Sequence, residues 1–322
     1  MLTLAASDLL HLLPSVDVVK AVEQAACAAT TPDVQLPTRL HLSLSGNTYL
    51  VMPAGAEGLF VSKIVSVTPG NSARGLPAIQ GVVILNDATT GAPVALMDAA
   101  TVTALRTGAV GATGLKYTTG SDVDTIGIVG CGIQGTWQAI FSARVRPVKK
   151  VLCFDRSSAA LRAFAVLLDK HAPGVQVVIC QSVDELVANT NVVIAATTSS
   201  APVLKDEAAR LEGKHFISIG SFTPSMQELP DAVYALSGNV VIDADAAVHE
   251  VGDIVNPLAK GLIKPAAIHS LGHVISGARK IDITRTTVFK AVGMALYDLY
   301  AAKIFFEAAH AQGIGRDVSL LV

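Results

Sequence analysis

Charge is scarce in this chain. Lys, Arg, Asp and Glu make up 16% of its 322 residues and nearly cancel, leaving a net charge of −2 and no run of like charges. Such a surface lacks the electrostatic footprint of a protein that binds nucleic acid or an anionic membrane, so neither is expected as a partner. Cysteine is scarcer still: Cys27, Cys131, Cys153 and Cys180 lie far apart with no C-x-x-C spacing. Scattered thiols fit neither a disulfide framework nor a zinc site, and they point to a reducing compartment. The opening MLTLAASDLLHLLPSVDVVK has no early basic cluster and carries Asp8, which argues against a signal peptide. A long apolar run is missing as well. The long uncharged stretch LVANTNVVIAATTSSAPVL is broken by Asn, Thr, Ser and Pro, and reads as a buried strand plus a loop. The expectation is a soluble, cytoplasmic protein that binds no metal.

What is abundant is apolar residues, 51% of the chain, enough for about two domains with cores of their own. The opening third mixes an amphipathic helix at about 15–30 with β-patterned pieces. LPTRLHLSLSGNTYLVMPA alternates Leu40, Leu42 and Leu44 with polar residues and turns at Ser45-Gly46-Asn47, a hairpin signal. LFVSKIVSV and GVVILNDATTGAPVALMD supply further strands, and residues 99–117 read as a small-residue helix. The character changes at Thr118-Thr119-Gly120-Ser121. Thereafter short apolar strands alternate with helical stretches, which implies βαβ units and a parallel sheet. The stretch TTVFKAVGMALYDLYAAKIFFEAA reads as one long helix.

TIGIVGCGIQG carries the sharpest signal. A G-x-G-x-x-G is weak alone, but an apolar strand runs into it, a helix-competent stretch follows, and a second strand ends at Asp155, twenty residues past Gly135. Gly130 permits a tight turn, Gly132 lets the backbone approach a pyrophosphate, and Gly135 allows close helix–strand packing. The helix N-terminus then offers unpaired N–H groups to phosphates. Asp155 would accept hydrogen bonds from a ribose 2′-OH and repel a 2′-phosphate, which favours NAD(H). Arg156 and Ser157 follow it, so NADP(H) stays open.

Two charges interrupt apolar faces. A strand over LFVSKIVSV puts Lys63 in line with Leu59, Val61, Val65 and Val67. It is either an edge-strand lysine reaching water or a half-buried ammonium that meets a carboxylate or donates a proton. Arg106 is the only charged residue between Asp98 and Lys116. A guanidinium there is paired with an internal acid or kept for an anionic ligand, which its fork would grip with two bonds. Arg39, taken alone, reads as a solvated charge on the polar face of its hairpin strand. His269 and His273, four apart near two glycines, read as a loop or cap rather than ligands.

The ordered set LPTR, the Lys63 strand, NSARGLPAIQGVVILNDATTGAPVALMDAATVTALRTGAVGA, GIVGCGIQG, IGSFTPSMQEL and SLGHVISGARK…TVFKAVG resembles the ornithine cyclodeaminase/μ-crystallin family. The resemblance runs from near residue 1 to about 300. It implies an α/β protein in which a Rossmann NAD(P)-binding domain, 119–289, is inserted into an α+β substrate-binding and dimerisation domain, 1–118 plus 290–322. It also implies a homodimer with an active site in the cleft. Arg39, Lys63 and Arg106 match the residues that clamp an amino or imino acid carboxylate, which lifts Arg39 above a solvated charge. Gly130, Gly132, Ile133, Gln134, Gly135 and Asp155 match cofactor residues, with Thr197 in AATTS and Ser218 to Gly220 near the nicotinamide.

One departure matters. Ornithine cyclodeaminases carry an aspartate in G-G-D-C-P-G that handles the substrate's amino groups, and Phe222 stands in its place here. Ornithine cyclisation is therefore not expected. The resemblance implies instead a reductase of a cyclic imino acid, Δ1-pyrroline-2-carboxylate to L-proline, with Phe222 lining an apolar pocket and Lys63 as proton source. Its alternatives are an alanine-dehydrogenase-like enzyme and a μ-crystallin-like nucleotide-dependent binding protein.

Overall fold

The computed structural model describes residues 1–319, the side chain of Ser72 apart. Strand β1 (Leu2–Leu4) and helices α1 (Ala6–Leu12) and α2 (Val18–Ala28) open the chain. A meander follows: β2 (Leu40–Leu44), β3 (Asn47–Ala56), β4 (Leu59–Val67), β5 (Ile79–Asp87) and β6 (Pro93–Asp98). After α3 (Ala99–Thr118) come β7 (Thr125–Val129), α4 (Ile133–Val145), β8 (Lys150–Phe154), α5 (Ser158–His171), β9 (Gln176–Ile179) and α6 (Val183–Ala188). Next are β10 (Val192–Ala195), α7 (Ala208–Leu211), β11 (His215–Ser218), α8 (Asp231–Leu236), β12 (Asn239–Ile242), α9 (Ala247–Glu250) and α10 (Gly252–Ala259). The chain closes with β13 (Ile268–Ser270), α11 (Leu271–Ile275), β14 (Thr287–Lys290), α12 (Ala295–Gln312) and β15 (Arg316–Asp317).

The chain forms two compact units, residues 1–106 with the segment from Met294 onward, and Thr107–Gly293. The sequence reading set these breaks at 118 and 289, and its second segment ended on three residues outside the described ones. The shift has a physical cause at each end. The face of α3 with Gly108, Gly111 and Gly114 lies so close to Trp137, Gln138 and Phe289 that a β-carbon would meet them at 1.8–2.8 Å. That half of α3 therefore belongs with the second unit. At the other end TVFK is not helical. It is strand β14, wholly buried between β11 and β12, and the helix begins only at Ala295.

In the first unit the strand order is β15-β1-β6-β5-β4-β3-β2. Ser45 and Gly46 close the β2–β3 hairpin with φ of 54° and 77°, the left-handed pair that a two-residue turn needs to match strand twist. Strand alternation sends Met52, Ala54, Val61, Lys63, Val65, Val83, Leu85, Ala95 and Met97 to one buried face. Helix α12, apolar nearly all round, packs on β3, β4, β5 and α2 and is buried accordingly. The opposite face stays open, with Leu40, Leu42 and Leu44 at 62%, 59% and 64% exposure.

The second unit is a parallel sheet in the order β13-β12-β14-β11-β10-β7-β8-β9. The chain builds β7, β8 and β9 outward, then returns to place β10 on the other side of β7. That reversal is the switch point at which such sheets bind ligands, beyond the carboxyl ends of their strands. Strands buried on both faces read as continuous apolar runs, as TIGIV, VVIA, NVVI and TVFK do here. Among the described residues no helix is long and apolar enough to cross a membrane.

The placement of β14 is testable. Phe289 is fully buried, with its ring against Gly114. Phe289→Ala should cost about 3–5 kcal/mol in urea unfolding; a loss under about 1 kcal/mol would contradict a core strand.

Candidate active site

In the second unit the strand-to-helix turn after β7 is built as the glycines predict. Gly130 sits at φ 94°, and a β-carbon there would meet Ala196 O at 2.7 Å. Gly135 is packed so tightly that its β-carbon would lie 1.9 Å from Gly130 O. Gly132 is the opposite case, with nothing within 4 Å of where a β-carbon would stand. The turn is closed toward the protein and open at the one glycine that would face a pyrophosphate, so these residues fit a dinucleotide. Asp155 is held in place behind it: Cys131 N donates to Oδ2 and Ser157 N to Oδ1, both at 2.8 Å. Gly130, Gly132, Asp155, Arg156 and Thr197 line one cavity of about 440 Å³.

The other residues named from the sequence sit variously around it. Ile133, Gln134 and Gly135 form the first turn of α4, with Ile133 61% exposed. Ser157 uses its hydroxyl to cap α5, accepting from Ala160 N at 3.2 Å. Ser218 does not line the cavity; it is fully buried at the end of β11, against Glu228 and Asp253. Gly220 lies against Thr197, and Phe222 follows it on the surface.

In the first unit β4 presents Lys63 to the buried face, level with Met52 on β3 and Val83 on β5. Opposite stands Asp298, in the first turn of α12. Its Oδ2 receives Lys63 Nζ at 2.7 Å and its Oδ1 receives Arg106 Nε at 3.1 Å, with all three side chains buried. Of the two alternatives weighed for Arg106, the pairing with an internal acid is the one observed. One carboxylate shared by two cations nevertheless leaves a net positive charge. Arg39, half-buried just ahead of β2, adds to that field. Burial drives the Lys63 pKa down to about 8; the Arg106 and Arg39 charges add to the fall, and Asp298 limits it. A buried site with excess positive charge and a lysine ready to release a proton suits a small carboxylate.

The family model described as ornithine cyclodeaminase/mu-crystallin family matches residues 2–313. This chain belongs to that family. One family relative, the Delta(1)-pyrroline-2-carboxylate reductase of Bacillus cereus, is 34% identical over 99% of each chain. Among solved structures, the Thermococcus litoralis Delta(1)-pyrroline-2-carboxylate reductase in complex with NADH and L-proline is 32% identical, with a TM-score of 0.92 over 99% of this chain and 100% of that one. An archaeal alanine dehydrogenase dimer with bound NAD is 27% identical, with a TM-score of 0.90 over 100% of this chain and 99% of that one.

Sequence reasoning missed Asp298, Glu228, Asp253 and Lys290. For Asp298 the signal was present: it is the only charged residue between Lys290 and Lys303, on a stretch otherwise apolar. Asp298→Asn leaves two buried cations without a counter-ion. Stability should fall by about 3–5 kcal/mol in denaturant unfolding, whereas a loss under about 1 kcal/mol would show that the cations have other compensation.

Proposed function

We propose that this chain is an NAD(P)H-dependent reductase of a cyclic imino acid, converting Δ1-pyrroline-2-carboxylate to L-proline with NADH as the preferred donor. The observation that carries the reading is the buried Lys63–Asp298–Arg106 cluster, whose positive charge exceeds its negative charge. It sits in a chain whose other unit carries a dinucleotide cradle, and whose relatives named above include enzymes of this reaction. Asp155, fixed by two backbone amides, supports NAD(H) over NADP(H), with Arg156 beside it as the only basic one among the described residues that line the cavity.

When bound, the reduced nicotinamide supplies a hydride to the carbon of the C=N bond. The chain's residues do the rest. Arg39, Lys63 and Arg106 hold the substrate carboxylate through charge-assisted bonds. Lys63 keeps a proton on Nζ near neutral pH and passes it, directly or through a water it orients, to the ring nitrogen. Phe222 offers an apolar ring where a diamine substrate would need a carboxylate. The apolar face of Leu40, Leu42, Leu44, Phe60 and Ile64 supports a homodimer, since an exposed edge strand so rich in leucine is otherwise a liability. Four cysteines that form no disulfide suit the cytoplasm.

The test is NADH and NADPH oxidation with pyrroline-2-carboxylate, piperideine-2-carboxylate, and pyruvate plus ammonia. Turnover of a cyclic imine is expected. Turnover of pyruvate and ammonia alone would replace the proposal with an alanine dehydrogenase, which the archaeal neighbour favours. The pH profile tests the lysine. Because its folded pKa is lowered to about 8, the ammonium is present below that pH and lost above it. kcat/KM should therefore fall on the alkaline side with an apparent pKa near 8. Lys63→Gln should be slower by about a hundredfold or more and lose that limb; an unchanged limb would remove Lys63 from the role.

A further inference from the structure

A second buried ionic network lies wholly in the Rossmann unit, and no role above uses its charged members, Glu228, Asp253 and Lys290. Glu228, fully buried, accepts at Oε1 from Thr197 N at 2.7 Å and Thr197 Oγ1 at 2.8 Å. At Oε2 it accepts from Gly220 N at 2.6 Å, Ser218 Oγ at 3.0 Å and Ser221 N at 3.2 Å. Asp253 holds the same segment from below, accepting from Glu228 N, Leu229 N and Tyr234 Oη. Lys290 Nζ stands 3.1 Å from Ser218 Oγ and 3.8 Å from Asp253, and burial lowers its pKa.

These donors come from two places only, the ends of β10 and β11. Thr197 lies two residues past β10, and Gly220 two residues past β11. The two turns touch: a β-carbon on Gly220 would lie 1.9 Å from Thr197 O. One carboxylate thus ties two strand ends into a single ledge through three backbone amides and two hydroxyls. Glutamine cannot copy this, because each oxygen faces N–H donors and a side-chain amide would turn a donor toward one set of them.

The ledge lies where half of a dinucleotide must go. Asp155, at the end of β8, marks the ribose side, and the glycine turn on β7 marks the pyrophosphate. At a switch point the remaining half crosses to the strands beyond β7, which are β10 and β11. We propose that Glu228 is a positioning residue for the nicotinamide half of the cofactor, acting through the Thr197 and Gly220–Ser221 turns. The inference rests on the dinucleotide reading above.

Calorimetric binding of NADH and of ADP-ribose, which lacks the nicotinamide, separates this role from general support of the fold. In Glu228→Gln the Kd for NADH should rise at least about tenfold, since charge-assisted bonds are lost, while that for ADP-ribose stays within about twofold. Glu228→Asp, which keeps the charge but shortens the reach, should recover part of the NADH affinity, and it carries the same comparison if the glutamine variant does not fold. Equal loss of both ligands, or no loss of either, overturns the inference. An unaltered protein that binds neither ligand overturns the dinucleotide reading, and this inference with it.

Discussion

The first unit depends on one carboxylate with two cations. Asp298 has two oxygens and both are taken, one by Lys63 and one by Arg106. Burying three ionised groups is costly, and the attraction among them offsets that cost only while the geometry holds. Strand pairing sets Lys63 level with Met52 and Val83, and α12 brings Asp298 against the same face. The cluster carries one positive charge in excess, which on the reading proposed above a substrate carboxylate would balance. On that reading substrate binding and stability are linked in this cluster, because Asp298 partners both cations.

The Rossmann unit solves a related problem with the signs reversed. Its strand ends expose backbone N–H groups, and an acid meets them at successive positions. Asp155 receives the amides of Cys131 beyond β7 and Ser157 beyond β8. Asp243 receives those of Val292 and Gly293 beyond β12 and β14. Glu228 receives those of Thr197, Gly220 and Ser221 beyond β10 and β11. Carboxylates that accept several backbone bonds hold turns in defined shapes. That rigidity at the carboxyl edge of the sheet is what a bound dinucleotide requires, since its contacts are with the turns and not with the strands.

What the sequence disclosed follows the range of each signal. The glycine turn was legible because strand, turn, helix and acid are local and each glycine has a separate steric reason to be there. The hairpin at Ser45-Gly46 was legible for the same reason. Lys63 and Arg106 were legible as charges on apolar faces, but their common partner was not. Asp298 lies 235 residues from Lys63 and 192 from Arg106, and only the return of the C-terminal helix brings it there. The misreading of TVFK hid it further. An apolar run of four residues next to a helix has no periodicity of its own, and its β-branched Thr287 and Val288 were the only local cue. Reading that segment as helix also removed Lys290 from view. Glu228 and Asp253 went unread because their partners are backbone amides and the hydroxyls of Thr197, Ser218, Ser221 and Tyr234, gathered by the fold and without a pattern in the sequence.

The central claim is that the buried cluster is completed by a substrate carboxylate. If so, a carboxylate arriving beside Lys63 must raise its pKa from about 8, and the protein must take up protons. The direct measurement is calorimetry of L-proline binding to the protein with NADH, at pH 8, in buffers of different ionisation enthalpy. The account predicts uptake of roughly half a proton per site, as expected for a group half-neutral at that pH, and none in Lys63→Gln. Binding of L-proline without proton uptake in the unaltered protein would contradict it.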